Sequence, residues 1–166
     1  MDSDLAAALG ADLSAPLPSS RAEDYQNDYV IEAQWAEKCG KQSETYFKLL
    51  TAIDPKQLRL TRRDDDIYED FLQGFSDMQI DVVRVNDLHS PEAKAMWRAF
   101  CMKYEGQIED FNFGTLLRLD VAGEYSQENT ILVPRVQFYA IEIARNRRGL
   151  NNCHYEAAQK AKKDSS

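Results

Sequence analysis

The stretch Arg135–Leu150, reading RVQFYAIEIARNRRGL, constrains this chain more than any other. Val136, Phe138, Tyr139, Ile141, Ile143 and Ala144 are strong apolar positions that fall on more than one face of a helix. A helix that is apolar nearly all round is buried by several neighbours instead of lying on a surface. Gly149 follows the last periodic positions, with Arg147 and Arg148 in the last turn. Glycine tolerates the left-handed cap and cations oppose the negative end of the helix dipole, so the helix should end here. Gln137, Glu142, Arg145 and Asn146 lie within it and need partners wherever they are buried. The segment reads as the central helix, and its polar residues as the first place to look for a site.

A chain of 166 residues is expected to form one domain with a substantial core. The net charge of −8 argues against a nucleic-acid-backbone binder, which needs a basic surface, and fits a partner with a basic patch. There is no apolar run of about 18 residues to span a membrane. Asp2 and Asp4 stand where a signal peptide needs positive charge. Cys39, Cys101 and Cys153 are far apart and odd in number, the pattern of reduced thiols in a cytoplasmic protein.

Residues 1–27 are rich in Ala, Ser, Pro and Asp and read as a disordered arm, with Leu5, Ala8, Leu9 and Leu13 able to form a short amphipathic turn. The globular domain should run from 28 to 152, and residues 153–166 should fray as a mobile tail. A first helix is predicted over Tyr29–Ile53, ended by Asp54-Pro55 because the residue before proline is pushed out of helical space. Leu58–Thr61 alternates like a short strand, and the β-branched run Ile80–Val85 is its predicted partner. Asp64–Asp66 precede a second apolar helix face, Ile67, Tyr68, Phe71, Leu72 and Phe75. Ser90-Pro91-Glu92 is a helix start. The aromatic stripe behind it, from Ala93 through Trp97 and Phe100 to Phe111, predicts a helix to about residue 111, with a possible kink at Gly106. Thr115–Leu119 and Asn129–Val133 are predicted as a hairpin, with Pro134 at the first position of the central helix; a helix from Asn129 kinked at Pro134 is the competing reading. The expected class is therefore α+β and predominantly helical: a compact domain of about four helices with short antiparallel strands.

Chemical motifs are sparse. The chain has no phosphate-binding GxxxxGK loop, GxGxxG, GxSxG or HExxH. Asp64-x-Asp66 resembles the DxD of nucleotide-sugar transferases, where two carboxylates hold a divalent ion; against it, Asp64 caps the helix while Asp65 and Asp66 complement its positive end. Cys153-His154 lacks neighbouring metal ligands. General acid–base work would fall to Glu109, Asp110, Asp120 or Glu142, and Glu142 with Arg145 reads more simply as a helix pair. No cofactor, metal or catalytic residue is predicted, and binding is favoured over catalysis.

Two long segments, EDFNFGTLLRLD (109–120) and RVQFYAIEIARN (135–146), resemble the eukaryotic polysaccharide-biosynthesis-domain-containing protein family. So do Glu44–Leu50, Leu58–Thr61 with Asp65–Tyr68, and Trp97-Arg98 with Phe100; the likeness covers about residues 28–152. It implies a dedicated, ATP-independent chaperone that binds the GTP-binding domain of newly made translation elongation factor 1-alpha before nucleotide does. It also implies help from the nascent polypeptide-associated complex at the ribosome. A cytoplasmic location, with the nucleus possible, is expected, a monomer is the default, and charge and composition predict neither direct nucleic-acid nor membrane binding. The polar residues of the two segments are the expected contact surface: Asp110, Asn112, Arg118, Asp120, Arg135, Gln137, Glu142, Arg145 and Asn146. The alternative is that several of them satisfy each other in the core. The rival functions are a metal-dependent nucleotide-sugar or polysaccharide enzyme using Asp64 and Asp66, and a scaffold at the ribosome without a folding role.

Overall fold

A computed structural model describes residues 28–165; the predicted N-terminal arm, 1–27, lies outside the described residues. The first helix, α1 (Asp28–Ala52), carries Cys39, Tyr46 and Leu50 inward with Gln42 and Ser43 in the same stripe. Its outer face holds the pairs Glu37–Lys41 (3.5 Å) and Glu44–Lys48 (3.2 Å). Such exposed pairs contribute little, so inward packing fixes the helix. The Asp54 carboxylate accepts from the Lys56 amide and opens a 3-10 turn, Pro55–Gln57.

Residues 58–61 are not a strand. Both Asp64 oxygens turn back on this segment, accepting from the Leu60 amide (2.7 Å) and from the Thr61 amide (2.7 Å) and hydroxyl (2.9 Å). The donors a ladder needs are thereby spent starting α2 (Asp64–Gly74), which buries Ile67 and Phe71. The run 80–85 forms no regular strand either. Val82 bridges Asp120, with Val83 N–H on the Leu119 carbonyl (2.8 Å) and Val121 N–H on that of Asp81 (2.9 Å). It lies beside the end of the hairpin, not beside 58–61.

After a short helix α3 (Asn86–His89), Ser90 caps α4 (Pro91–Met102) through the Ala93 amide (3.1 Å). This helix stops nine residues before the predicted end at 111. Gly106 (φ 79°) and Asp110 (φ 54°) adopt left-handed backbone, and turns carry Tyr104, Ile108 and Phe111 onto the core in place of a helix. The aromatic stripe predicted for this face is core: Phe75 stacks on Trp97 at 4.0 Å, and Phe100 meets Trp97 edge-on at 5.4 Å.

The hairpin forms as β1 (Gly114–Arg118) against β2 (Thr130–Pro134), antiparallel, with Leu116 opposite Leu132. Pro134 (φ −60°, ψ 150°) ends β2 and sits one position before the central helix α5 (Arg135–Arg147), so the kinked-helix alternative does not occur. Every residue of α5 from Arg135 to Asn146 is buried. Its end is a full Schellman turn: Gly149 N–H bonds the Asn146 carbonyl, Leu150 N–H bonds that of Arg145, and Gly149 has φ 78°.

The polar C-terminus departs most from expectation. Where the sequence reads residues 153–166 as a fraying tail, a helix, α6 (Asn152–Asp164), packs along α1 and the 3-10 turn. Its Ala, Gln, Glu and Lys content suits a helix, and α1 supplies the surface that local propensity does not. The class is α+β and mainly helical, with six α-helices and one two-stranded antiparallel sheet among the described residues. Among the described residues no helix is long and apolar enough to cross a membrane.

Candidate functional site

Glu142 stands at the middle of α5 with no solvent exposure. Its Oε1 accepts from the Tyr46 hydroxyl (2.8 Å), Arg118 Nη2 (3.1 Å) and Asn151 Nδ2 (3.2 Å), and its Oε2 accepts from Arg145 Nη1 (2.7 Å). Asn146 donates to the Tyr46 oxygen (3.2 Å) and accepts from Asn151 (2.6 Å), whose own oxygen takes Arg118 Nη2 at 2.7 Å. Four helices and strands are tied together here: α1 through Tyr46, β1 through Arg118, α5, and the start of α6 through Asn151.

Two guanidinium groups share one carboxylate, which leaves a buried surplus of one positive charge. Backbone carbonyls absorb it. Arg118 Nη1 reaches Val121 (3.0 Å) and Gly123 (3.4 Å), while Arg145 reaches Ile80 (2.7 Å) and Leu119 (3.0 Å). The Arg118 guanidinium also lies over the rings of Tyr125 (5.5 Å) and Phe47 (5.9 Å), which meet each other edge-on at 6.2 Å. The loop that presents the first two carbonyls is held by Asn129, which bonds the Asp120 amide and carbonyl and the Glu124 carbonyl. A Cβ on Gly123 would come within 2.7 Å of the Asn129 amide, so only glycine leaves room for that brace.

Burial alone would raise the Glu142 carboxyl, but Arg118, Arg145 and the hydroxyl of Tyr46 outweigh it and hold the group well below the carboxylate range. Burial pushes the Tyr46 hydroxyl well above its usual value, and the adjacent Glu142 charge adds to the shift. Both groups are thus fixed in one protonation state with their bonding capacity used. A carboxylate with four donors on it is a fastening and not a poised base.

Six of the nine residues predicted as contact surface are consumed in the interior: Arg118, Arg135, Gln137, Glu142, Arg145 and Asn146 are each at most 4% exposed. The prediction that they form an exposed contact surface is corrected for Arg118, Arg135, Glu142, Arg145 and Asn146, whereas Gln137 lines a cleft beside β2. The alternative that they satisfy one another holds for Arg118, Glu142, Arg145 and Asn146. Arg135 lies over the Phe113 ring (5.1 Å) with the Asp110 carboxylate 3.8 Å away. Asn112 and Asp120 are exposed and Asp110 half-buried. Asp120 accepts from the Ala122 amide (2.9 Å) and stabilises the hairpin loop. Tyr46 and Asn151 belong to the network although the sequence does not single them out for it, and His154, considered there only as a metal ligand, joins them. His154 Nε2 lies 2.7 Å from the Val121 carbonyl, with its ring against Phe47. Only the C-terminal helix, which the sequence reads as a tail, brings it there.

The acidic triplet divides. Asp64 is buried and bonds back to the Leu60 and Thr61 amides, so the expected cap is corrected: Arg63 holds the N-cap position and no side chain caps α2. Asp65 pairs with Arg147, and Asp66 pairs with Arg63 (3.5 Å). Among the described residues no group of three or more metal-ligating side chains converges.

Two clefts flank the hairpin. One, of about 570 Å³, lies between α1 and the β1–β2 loop and includes Phe47, Leu116 and Tyr125 in its walls. The other, of about 410 Å³, lies between α4 and β2, with Trp97, Met102, Leu132 and Gln137 in its walls.

A family model described as "PBDC1 protein" matches residues 31–156, which span the hairpin, α5 and the first residues of α6. Human protein PBDC1 is 50% identical over 138 residues, 83% of this chain and 59% of the human protein. The Saccharomyces cerevisiae PBDC1 homolog is 49% identical over 136 residues, covering 79% of this chain and 92% of that one. The chain spans only 59% and 65% of the human and mouse proteins' lengths. A solution NMR structure of a Saccharomyces cerevisiae protein has a TM-score of 0.72 at 44% identity, covering 83% of this chain and 93% of its own. These matches agree with the family that segments 109–120 and 135–146 resemble, and those segments carry both arginines and the glutamate of the buried network: the chain belongs to the PBDC1 family.

Proposed function

We propose that this protein is an ATP-independent chaperone that binds the GTP-binding domain of newly made translation elongation factor 1-alpha in the cytoplasm and keeps it soluble until it folds and takes up GTP. The observation that carries the reading is the division of the two family-like segments. Arg118, Arg135, Glu142 and Arg145 are spent inside as fastenings, while Glu109 and Asp120 stay exposed, and clefts with apolar side chains in their walls open on either side of the hairpin. A rigid body with such clefts is suited to covering another chain's exposed surface. A nascent GTPase domain exposes a phosphate loop, strand edges and switch segments before nucleotide arrives, and such surface aggregates. Release follows when nucleotide binding or completed folding removes that surface, because a ligand shifts an equilibrium only through differential affinity.

The test is a pull-down from a translating eukaryotic lysate, with excess GTP or with nucleotide depleted. Enrichment of elongation factor 1-alpha that GTP abolishes is the expected result. Enrichment indifferent to GTP would make the protein a scaffold, and no enrichment in either condition would end the proposal. Manganese or magnesium titration followed by thermal unfolding addresses the metal-enzyme rival; Asp64, with both oxygens occupied by backbone amides, gives that rival little to work with.

A further inference from the structure

The hairpin has only two strands, so one edge of β2 lacks a strand neighbour among the described residues. The Leu119 amide bonds the Asn129 carbonyl, which fixes the parity of the ladder. Thr115 with Val133 and Leu117 with Ile131 are then the hydrogen-bonded pairs, and Thr130 and Leu132 turn their backbone N–H and C=O groups outward. Beside the Leu132 end of that edge runs the 410 Å³ cleft, floored by Trp97 and Gln137, while Thr130 borders the 570 Å³ one. Leu132 and Met102, two of the most exposed large apolar residues, stand on its two sides at 43% and 50%. An open edge flanked by apolar side chains is the arrangement that accepts an added strand.

Charge selects the occupant. The charged residues lining this cleft are Lys94 and Arg98, both exposed, with His89 beside them and no carboxylate. That is a basic wall on a chain of net charge −8. We propose that the cleft between α4 and the open edge of β2 receives an extended segment of a partner protein with alternating apolar and acidic residues, added as a third strand. Backbone groups of Thr130 and Leu132 pair with the segment, its apolar side chains pack on Trp97, Met102 and Leu132, and its carboxylates face Lys94 and Arg98. This names the docking surface for the proposed function and rests on that reading for the identity of the partner, though not for the chemistry of the groove.

Fluorescence anisotropy with a labelled decapeptide of alternating Leu and Asp, against the full chain, tests it. Binding should fall at least fivefold with Lys94→Glu/Arg98→Glu, fall similarly with Leu132→Lys, and be absent for the peptide with Lys in place of Asp. N-methylation on alternate peptide amides should abolish binding in one register and spare it in the other, which only strand addition requires. Hydrogen exchange should slow at the Leu132 amide. Equal binding of acidic and basic peptides, indifference to the register of methylation, or protection confined to the α1 cleft would overturn the proposal. So would tighter binding after deletion of residues 1–27, since this chain's own acidic arm would then be the occupant. If the peptide results hold and elongation factor 1-alpha is not captured, the chaperone reading fails alone. If capture survives Arg98→Glu with Leu132→Lys, the groove fails alone.

Discussion

Around α2 and α4 the core is aromatic: Phe71, Phe75, Trp97 and Phe100 meet at centroid distances from 4.0 to 6.1 Å. Around Glu142, α1, β1, α5 and the start of α6 meet through hydrogen bonds and charge. The first kind of packing is non-directional and tolerates exchange of one apolar group for another of similar volume. The second is directional, and each member leaves a desolvated partner behind when it is removed. The comparison explains why a helix rich in charged residues can be central: α5 buries charges that complete one another, so it serves as an axle for both halves.

The difference can be tested directly. Glu142→Gln leaves two buried guanidiniums without their counter-charge and should cost about 3–5 kcal/mol in urea unfolding. The triple replacement of Glu142, Arg118 and Arg145 by Met should cost less than that single change; a larger loss would mean the network contributes net stability beyond its own desolvation. The same carboxylate sets an acid limit. Its folded-state pKa lies below the unfolded value of 4.5, so its contribution is complete above about pH 4.5 and disappears as pH falls toward about 2. Unfolding midpoints measured between pH 7 and pH 2 should show that loss in the wild type and not in Glu142→Gln.

Tyr46→Phe removes one donor from Glu142 and one acceptor from Asn146 while keeping the ring against Phe138 (5.3 Å). It should cost about 1–3 kcal/mol by thermal unfolding. In the aromatic half, Phe100→Met stays apolar and loses little volume, and should cost about 1.5 kcal/mol or less. A larger loss there than in Tyr46→Phe would erase the contrast between the two halves. Arg147→Ala, which breaks an exposed pair with Asp65 and a ring contact with Tyr68 at 5.0 Å, should move the unfolding midpoint least of all.

The sequence by itself determined the elements whose signals are local. The three-to-four spacing of Cys39, Tyr46 and Leu50 made α1, Ser90-Pro91 started α4, and Gly149 ended α5, since each acts through neighbours within one or two turns. It also marked Glu142 and Arg145 as polar groups in an apolar helix. Tertiary structure alone decided what those groups do. Arg118, Tyr46, Asn151 and His154 lie far from Glu142 or Arg118 along the chain, and nothing local distinguishes a buried arginine from an exposed one. The same holds for residues 58–61, where a carboxylate three positions on captured the amides a strand would have used, and for 80–85, whose carbonyl at Ile80 went to Arg145. It holds for the docking of α6, whose composition suits a helix but does not say that it packs along α1. Periodicity reports which way a side chain faces; only the assembled core reports which partner it meets there.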